Sequence, residues 1–356
     1  MNEMTAAVLE EFGKLPALHT IPAPELGTGE VLVDVVAAPV LPYAAEVFRG
    51  ERNSLLTLPV VPGTGAIGRV RATGPDATRL TAGDWVLCDP AIRSRDDALN
   101  PDITLQGLTA RGDGGLLLQR RFGHGAFAEQ LLVPTENAIP LGRLDPAEAG
   151  RWSALTVCLV PYGGLLAADL RAGETVLVSG ATGHFGSAAV AVALAMGAAC
   201  VVAPGRDEAA LADLERRFGA RVRPVRLTGD DDTGRLRRAA PGPIDVVLDL
   251  LPPSAGTAPV RTAAMAVREQ GRIVLMGGVG EDLALPYRWL MRNGITLRGQ
   301  WLCPRTAPAS LIALARAGLL DLGGFTVTEF PLADLADAVG HAATAPRRFA
   351  LTVVRP

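Results

Sequence analysis

The segment Val176-Leu-Val-Ser-Gly-Ala-Thr-Gly-His-Phe-Gly-Ser187 runs from apolar residues into a glycine turn, and the small residues Ala188 to Met196 follow it. Gly183 and Gly186 fall on the second and third glycines of G-x-G-x-x-G, with Ala181 on the first. Such a turn lets the backbone approach a pyrophosphate, and the amides and dipole of the helix behind it hold the negative charge. Thr182, His184 and Phe185 fill the variable places, and the His184 ring could reach a phosphate or the adenosine ribose. Glycines also end strands for structural reasons, so the surrounding pattern has to decide. In NAD-specific folds an acid roughly twenty residues further on holds the ribose hydroxyls. Here that strand ends Val202-Ala-Pro-Gly-Arg206. The acid is missing, and the Arg206 guanidinium could clamp a 2′-phosphate, so the expected cofactor is NADP(H). Asp207 reads as the N-cap of the next helix. Leu250 and Leu251, then Gly277, Gly278 and Val279, follow two later strands at their carboxyl ends, where open α/β sheets bind ligands.

These residues need a parallel sheet to position them. After Asp145, β-branched runs at 175–179, 200–203, 222–225, 245–249, 272–276 and 295–298 alternate with helix-period stretches such as Asp207 to Phe218 and Ala258 to Val267. The first half is β-rich instead, with strands expected at 4–11, 30–38, within Val60 to Val70, at Asp84 to Cys88 and at Phe127 to Val133. No helical run longer than one or two turns is expected before residue 145, and Asp89 to Gly125 reads as an ordered lobe or loop beside a functional cleft. The tail beyond Ala307 returns to mixed elements that should pack on the β-rich half.

Composition excludes several classes. The chain has 356 residues, 49% of them apolar and 20% charged, with a formal charge of −3. That is an ordinary globular composition without the basic excess that nucleic acid or an anionic membrane surface calls for. No stretch approaches the ~20 apolar residues of a membrane span. The cysteines at 88, 158, 200 and 303 lie far apart, so neither a disulfide framework nor a zinc ribbon is indicated. His19, His124 and His341 lack the Ser/Asp pattern of a hydrolase triad. A small-molecule partner and a cytoplasmic location are the expectations.

The chain resembles the medium-chain dehydrogenase/reductase superfamily from about Met4 to Val354. The likeness rests on Glu30-Val-Leu-Val, Pro62-Gly-Thr-Gly-Ala-Ile-Gly68, Ala82-Gly-Asp-Trp-Val, Gly125-Ala-Phe-Ala-Glu-Gln, Gly173-Glu-Thr-Val-Leu-Val, Gly183-His-Phe-Gly and Gly299-Gln-Trp, in that order. It implies an α/β chain in which a GroES-like β-rich catalytic domain, residues 1–155 completed by 304–356, is interrupted at 156–303 by a Rossmann domain with a doubly wound parallel sheet. Zinc-dependent members carry metal ligands where this chain has Pro42, Thr64 with Gly65, and Thr156, none of which is a zinc thiolate or imidazole. No metal site is expected, and Cys158 alone makes none. The departures point to the zinc-free quinone oxidoreductase and enoyl reductase branch, which is typically NADPH-dependent.

That resemblance also assigns side chains. Related quinone reductases often place a tyrosine where this chain has Val47, which leaves Tyr43 as the candidate catalytic proton donor. Tyr162 is expected beneath the nicotinamide, and Thr156 and Trp301 are expected to contact the cofactor. Trp289 and Trp301 could instead line the pocket or the contact of a homodimer. Two other readings stay open: a metal-free ketone or aldehyde reductase, and a nucleotide-binding protein without turnover.

Overall fold

Short β-branched and apolar runs fold the first part of the chain into strands, of which β3, β5 and β6 are buried nearly throughout. In chain order these are β1 (Glu3–Val8), β2 (Ala17–Pro22), β3 (Glu30–Val40), β4 (Ala66–Thr73), β5 (Trp85–Cys88), β6 (Ala91–Arg93), β7 (Ile103–Leu105), β8 (Thr109–Arg111), β9 (Gln130–Pro134) and β10 (Ala138–Pro140). Helices α1 (Ala44–Phe48) and α2 (Gly112–Phe122) lie among them, and α3 (Ala149–Trp152) and α4 (Ala154–Ala167) follow. This computed structural model describes residues 2–345 and 348–356.

The pattern then changes to strand and helix in alternation: β11 (Thr175–Ser179), α5 (His184–Ala195), β12 (Cys200–Gly205), α6 (Glu208–Phe218), β13 (Val222–Arg226), α7 (Asp232–Ala239), β14 (Val246–Asp249), α8 (Thr257–Ala264), β15 (Arg272–Leu275), α9 (Tyr287–Arg292), β16 (Thr296–Gly299) and α10 (Ala307–Arg316). The tail adds β17 (Thr326–Pro331), α11 (Leu335–Thr344) and β18 (Ala350–Arg355).

The chain divides into two compact units at Thr156/Val157, inside α4, and at Asp321/Leu322. In the first unit a sheet runs in the order β10-β5-β4-β3-β18-β17, with β9 also on β3. Its centre is β3, most of whose residues are buried, and the core around it joins Val33, Val61 and Phe127 to Leu335 and Val339 of the tail. The second unit holds six parallel strands in the order β13-β12-β11-β14-β15-β16, the doubly wound arrangement. Central β11 is buried along its whole length, whereas β16 at the edge is exposed along its own. Helices cover both faces of such a sheet, which is why its inner strands read as unbroken apolar runs.

Several expectations need correcting. Helix α2 has 11 residues, although no helix beyond two turns was expected before residue 145. Its glycines hid it. A Cβ at Gly114 would stand 2.1 Å from the Asp102 carboxyl carbon and one at Gly115 2.3 Å from the Ile103 carbonyl, so close packing on β6–β8 demands residues of low helix propensity. Within Val60 to Val70 only the part from Ala66 is a strand, and Val60 makes an isolated bridge to Leu9. β2 was missed because its residues lie half-exposed on a two-stranded ribbon with little apolar signature. Strands β17 and β18 join the first unit, but α10 groups with the second, which places the boundary after residue 321 and not after 303.

The β11–α5 turn sets the geometry of the second unit. Gly180 has φ +87, and a Cβ on Gly186 would stand 1.9 Å from the Gly180 carbonyl oxygen. Position 186 is therefore closed to any side chain. Gly183, with φ −86 and ψ 179, has ordinary extended geometry, and its Cβ would lie 3.2 Å from the same oxygen. Gly186→Ala should destabilise the protein by roughly 2 kcal/mol or more through overpacking. Gly183→Ala should cost about 1 kcal/mol or less, the loss of a good N-cap residue. Urea denaturation of the two variants checks this; equal midpoints would show that the close approach is not required.

Candidate nucleotide cradle and apolar recess

At the carboxyl end of β11 the chain turns through Gly180 and buried Ala181 to Gly183, the N-cap of α5. Gly183 N–H donates to the Gly180 carbonyl at 2.9 Å, and no side chain caps the helix. The N–H groups of His184, Phe185 and Gly186 find no acceptor among the described residues. Three free donors at the positive end of a 12-residue helix suit a dianionic pyrophosphate, and the missing side chain at Gly183 leaves it room. His184 stands edge-on to Phe185 with ring centroids 5.1 Å apart. Burial pushes its imidazole down to about 4, so with no anion bound it is uncharged near neutral pH and can offer a hydrogen bond.

The neighbouring strand ends close the cradle. A Cβ at Gly205 would lie 2.8 Å from Thr182 Cγ2, so the end of β12 presses on the glycine turn. Arg206 comes next, exposed, with no partner among the described residues. Asp207 cannot replace the missing acid: its carboxylate accepts from the Ala209 and Ala210 amides at 2.9 and 3.1 Å and caps α6. Glu208 is paired with Arg226. On the other side Leu250 N–H donates to the Ser179 carbonyl at 3.0 Å, and Gly278 N–H to the Leu251 carbonyl at 2.8 Å. The turn thus meets the loop after β14, which in its turn meets the loop after β15, where Val279 follows Gly278. Trp301, 45% exposed, lies beyond the edge strand β16. Tyr162 is buried in α4.

Sequence reasoning missed Asp249, at the end of β14 and 3% exposed. A Cβ on Gly277 would stand 2.5 Å from its Oδ2, while its Oδ1 is buried without a partner. Burial pushes the carboxyl up to about 6, against hydrogen bonds from the Ser179 hydroxyl and the Leu251 amide that favour the charged form. The carboxylate thus ties the end of β11 to the loop after β14, and Gly277 passes close by it without a side chain. An acid closing an otherwise apolar strand, Val246-Val-Leu-Asp249, was the available signal.

The first unit carries a separate recess of about 20 Å³, walled by Leu41, Val47, Phe48, Leu108 and Phe127, with Thr64 on its border. Gly63 and Gly65 flank that threonine with φ +105 and +69. A Cβ at Gly63 would strike the Phe127 ring at 2.7 Å, and one at Gly65 would lie 3.3 Å from the Thr156 methyl. Two of the vacant zinc-ligand places, Thr64–Gly65 and Thr156, therefore do adjoin, and Pro42 follows recess-lining Leu41. The Thr156 hydroxyl donates to the Ser153 carbonyl at 2.7 Å. Among the described residues no three His, Cys, Asp or Glu side chains converge as a metal-ligand set. Cys158 is buried, its thiol pushed up to about 12.

Tyr43 does not line the recess, although Leu41 and Ala44 do. Its ring packs on the core and lies under the Arg52 guanidinium, 3.9 Å from the ring centre. Burial raises its phenol above the usual range. Val47 does line the recess, an aliphatic wall where the resemblance places a tyrosine.

Comparison with known proteins matches this geometry. Residues 27–143 match the alcohol dehydrogenase GroES-like domain family, and residues 185–317 the zinc-binding dehydrogenase family. An alcohol dehydrogenase of Rhizobium meliloti (strain 1021) is 30% identical over 304 residues, 83% of either chain. An NAD-dependent alcohol dehydrogenase of Sulfurisphaera tokodaii is 27% identical over 324 residues, 88% of this chain and 90% of the relative. A solved thermostable alcohol dehydrogenase from Pyrobaculum aerophilum has a TM-score of 0.77 at 25% identity, covering 100% of both chains. With a GroES-like unit, a doubly wound nucleotide-binding unit and these relatives, the chain belongs to the medium-chain dehydrogenase/reductase superfamily of oxidoreductases.

Proposed function

We propose that this oxidoreductase works without zinc and uses NADPH to reduce an activated C=C bond, in an enone or enoyl compound, or a quinone. The observation that carries the proposal is the recess: where zinc-dependent relatives place ligands, this chain has Pro42, Thr64–Gly65 and Thr156 beside aliphatic and aromatic walls. The residues do not fit a zinc ion, which needs three or more N, S or O ligands in convergent geometry. Oxidising an alcohol requires removal of a proton and stabilisation of an alkoxide, the task of a Lewis acid. A conjugated C=C asks less, because the charge that develops is delocalised and a hydrogen bond at oxygen suffices.

When bound, the nicotinamide supplies the hydride. The amides of His184, Phe185 and Gly186 hold the pyrophosphate, and the loops at Leu250–Leu251 and Gly277–Val279 hold ribose and nicotinamide. Arg206 pairs with the 2′-phosphate. Asp207 is committed to its cap and Glu208 to Arg226, so neither acid competes for the ribose hydroxyls. A second reading, metal-free reduction of a ketone or aldehyde, is favoured by the alcohol dehydrogenase names of the relatives. Two copies of the chain are proposed to pair at the open edge of β16. Four large apolar side chains on or near α9 and β16, Tyr287, Met291, Leu297 and Trp301, are exposed there.

Chelator-treated protein should oxidise NADPH in the presence of a cyclic enone or a quinone. An absolute need for added zinc would contradict the proposal. In the same assay Arg206→Ala should weaken NADPH by about ten- to hundredfold and leave NADH nearly unchanged, the range for a hydrogen bond to a charged group. Equal loss for both cofactors would withdraw the NADPH preference. Sedimentation should give twice the chain's mass, and a monomer at micromolar concentration would remove the pairing.

A further inference from the structure

The recess of the first unit is almost wholly apolar. Apart from Thr64, the side chains around it carry no polar atom: they are proline, leucine, alanine, valine, phenylalanine and glycine. Thr64 is 8% exposed, and its hydroxyl makes no hydrogen bond to the described residues. That oxygen keeps some solvent access and donates to nothing in the described residues, although a threonine hydroxyl readily bonds to nearby backbone when the backbone allows it. Here both neighbours are glycines in left-handed conformation, and both are pressed against other atoms, Gly63 on Phe127 and Gly65 on the Cys88 carbonyl. The backbone is held from both sides, and the threonine is the one side chain that the segment presents.

The size of the recess narrows what can meet that hydroxyl. About 20 Å³ holds one water-sized group. A water bound there would want two to four polar partners and would find a single side-chain hydroxyl, so a ligand oxygen displaces it at little cost. A carbonyl oxygen has the right size, can accept one hydrogen bond, and brings apolar atoms that suit the remaining wall.

We infer that the Thr64 hydroxyl is the hydrogen-bond donor to the carbonyl oxygen of the substrate, in the place where a metal-dependent relative would hold a ligand. This deepens the proposed reductase reading and rests on it for the identity of the substrate. As the β-carbon accepts a hydride with its electron pair, the C=C π pair moves toward the carbonyl and leaves an enolate charge on oxygen. Thr64 keeps its proton and strengthens its bond to that oxygen. Water then supplies the proton that the α-carbon takes up, so the saturated ketone and the oxidised nicotinamide are the balanced products. A donor aimed at charge that appears only in the transition state raises kcat more than it lowers KM.

The test compares wild type with Thr64→Val, which removes the hydroxyl at nearly constant volume, and with Thr64→Ser, which restores it. Thr64→Ala serves should the valine variant not fold. With 2-cyclohexenone, a quinone and an aldehyde as substrates, Thr64→Val should lower kcat by about ten- to hundredfold, with the Kd for NADPH unchanged, and Thr64→Ser should recover most of the loss. Enone turnover unaffected by Thr64→Val would overturn the inference and leave the reductase reading standing. Turnover of the aldehyde alone, still lost in Thr64→Val, would overturn the C=C reading and support the donor. Should wild type reduce none of the three, calorimetric binding of 2-cyclohexenone to the protein with NADP+ decides. Binding weakened about fivefold or more by Thr64→Val supports the donor, and equal or absent binding overturns it.

Discussion

The close approach of Gly186 to the Gly180 carbonyl oxygen is the constraint on which the second unit depends. Only a residue without a Cβ lets α5 start so near the end of β11, and that start leaves three amide donors open at the head of the helix. Everything that reads as cofactor recognition is arranged around those donors. Gly205 yields to Thr182, Gly277 yields to the Asp249 carboxylate, and the ends of β12, β14 and β15 lie on the side of the turn because parallel strands end on the same side. Missing side chains at Gly186, Gly205 and Gly277 do as much here as any side chain present.

The first unit uses the same device for a different end. Gly63 and Gly65 thread the chain between Phe127 and the Cys88 carbonyl and hold one hydroxyl at the border of an apolar recess. A metal-binding relative would need imidazole or thiolate groups in this region, and their charge would need a second set of partners. Among the described residues no three His, Cys, Asp or Glu side chains converge as a metal-ligand set. Its recess is bounded by apolar side chains, with Thr64 the one residue around it that carries a side-chain hydroxyl.

The Rossmann strands were legible because strands buried on both faces are written as β-branched runs, and the observed spans match 175–179, 200–203 and 222–225 to within two residues. The glycine turn was legible because its geometry admits few residue types. Asp207 as a cap was legible for a similar reason: the acid stands directly before a helical run. What the sequence concealed was either masked or non-local. Glycines that serve packing at 114 and 115 erased the helical signal of α2. Tyr43 was reached by eliminating other phenols, yet chain position says nothing of where a ring points, and an arginine nine residues later covers it. Asp249 looked like a strand terminus until its burial was visible, and α10 gave no sign of which unit it would join.

The proposed chemistry turns on which carbon of the substrate receives the hydride. Reduction of 2-cyclohexenone with NADPH deuterated at the transferable position of the nicotinamide, followed by deuterium NMR of the product, reads that carbon directly. The expected product is cyclohexanone labelled at the former β-carbon, from protein stripped of metal. Label on the carbinol carbon of 2-cyclohexenol would contradict it and establish carbonyl reduction in its place.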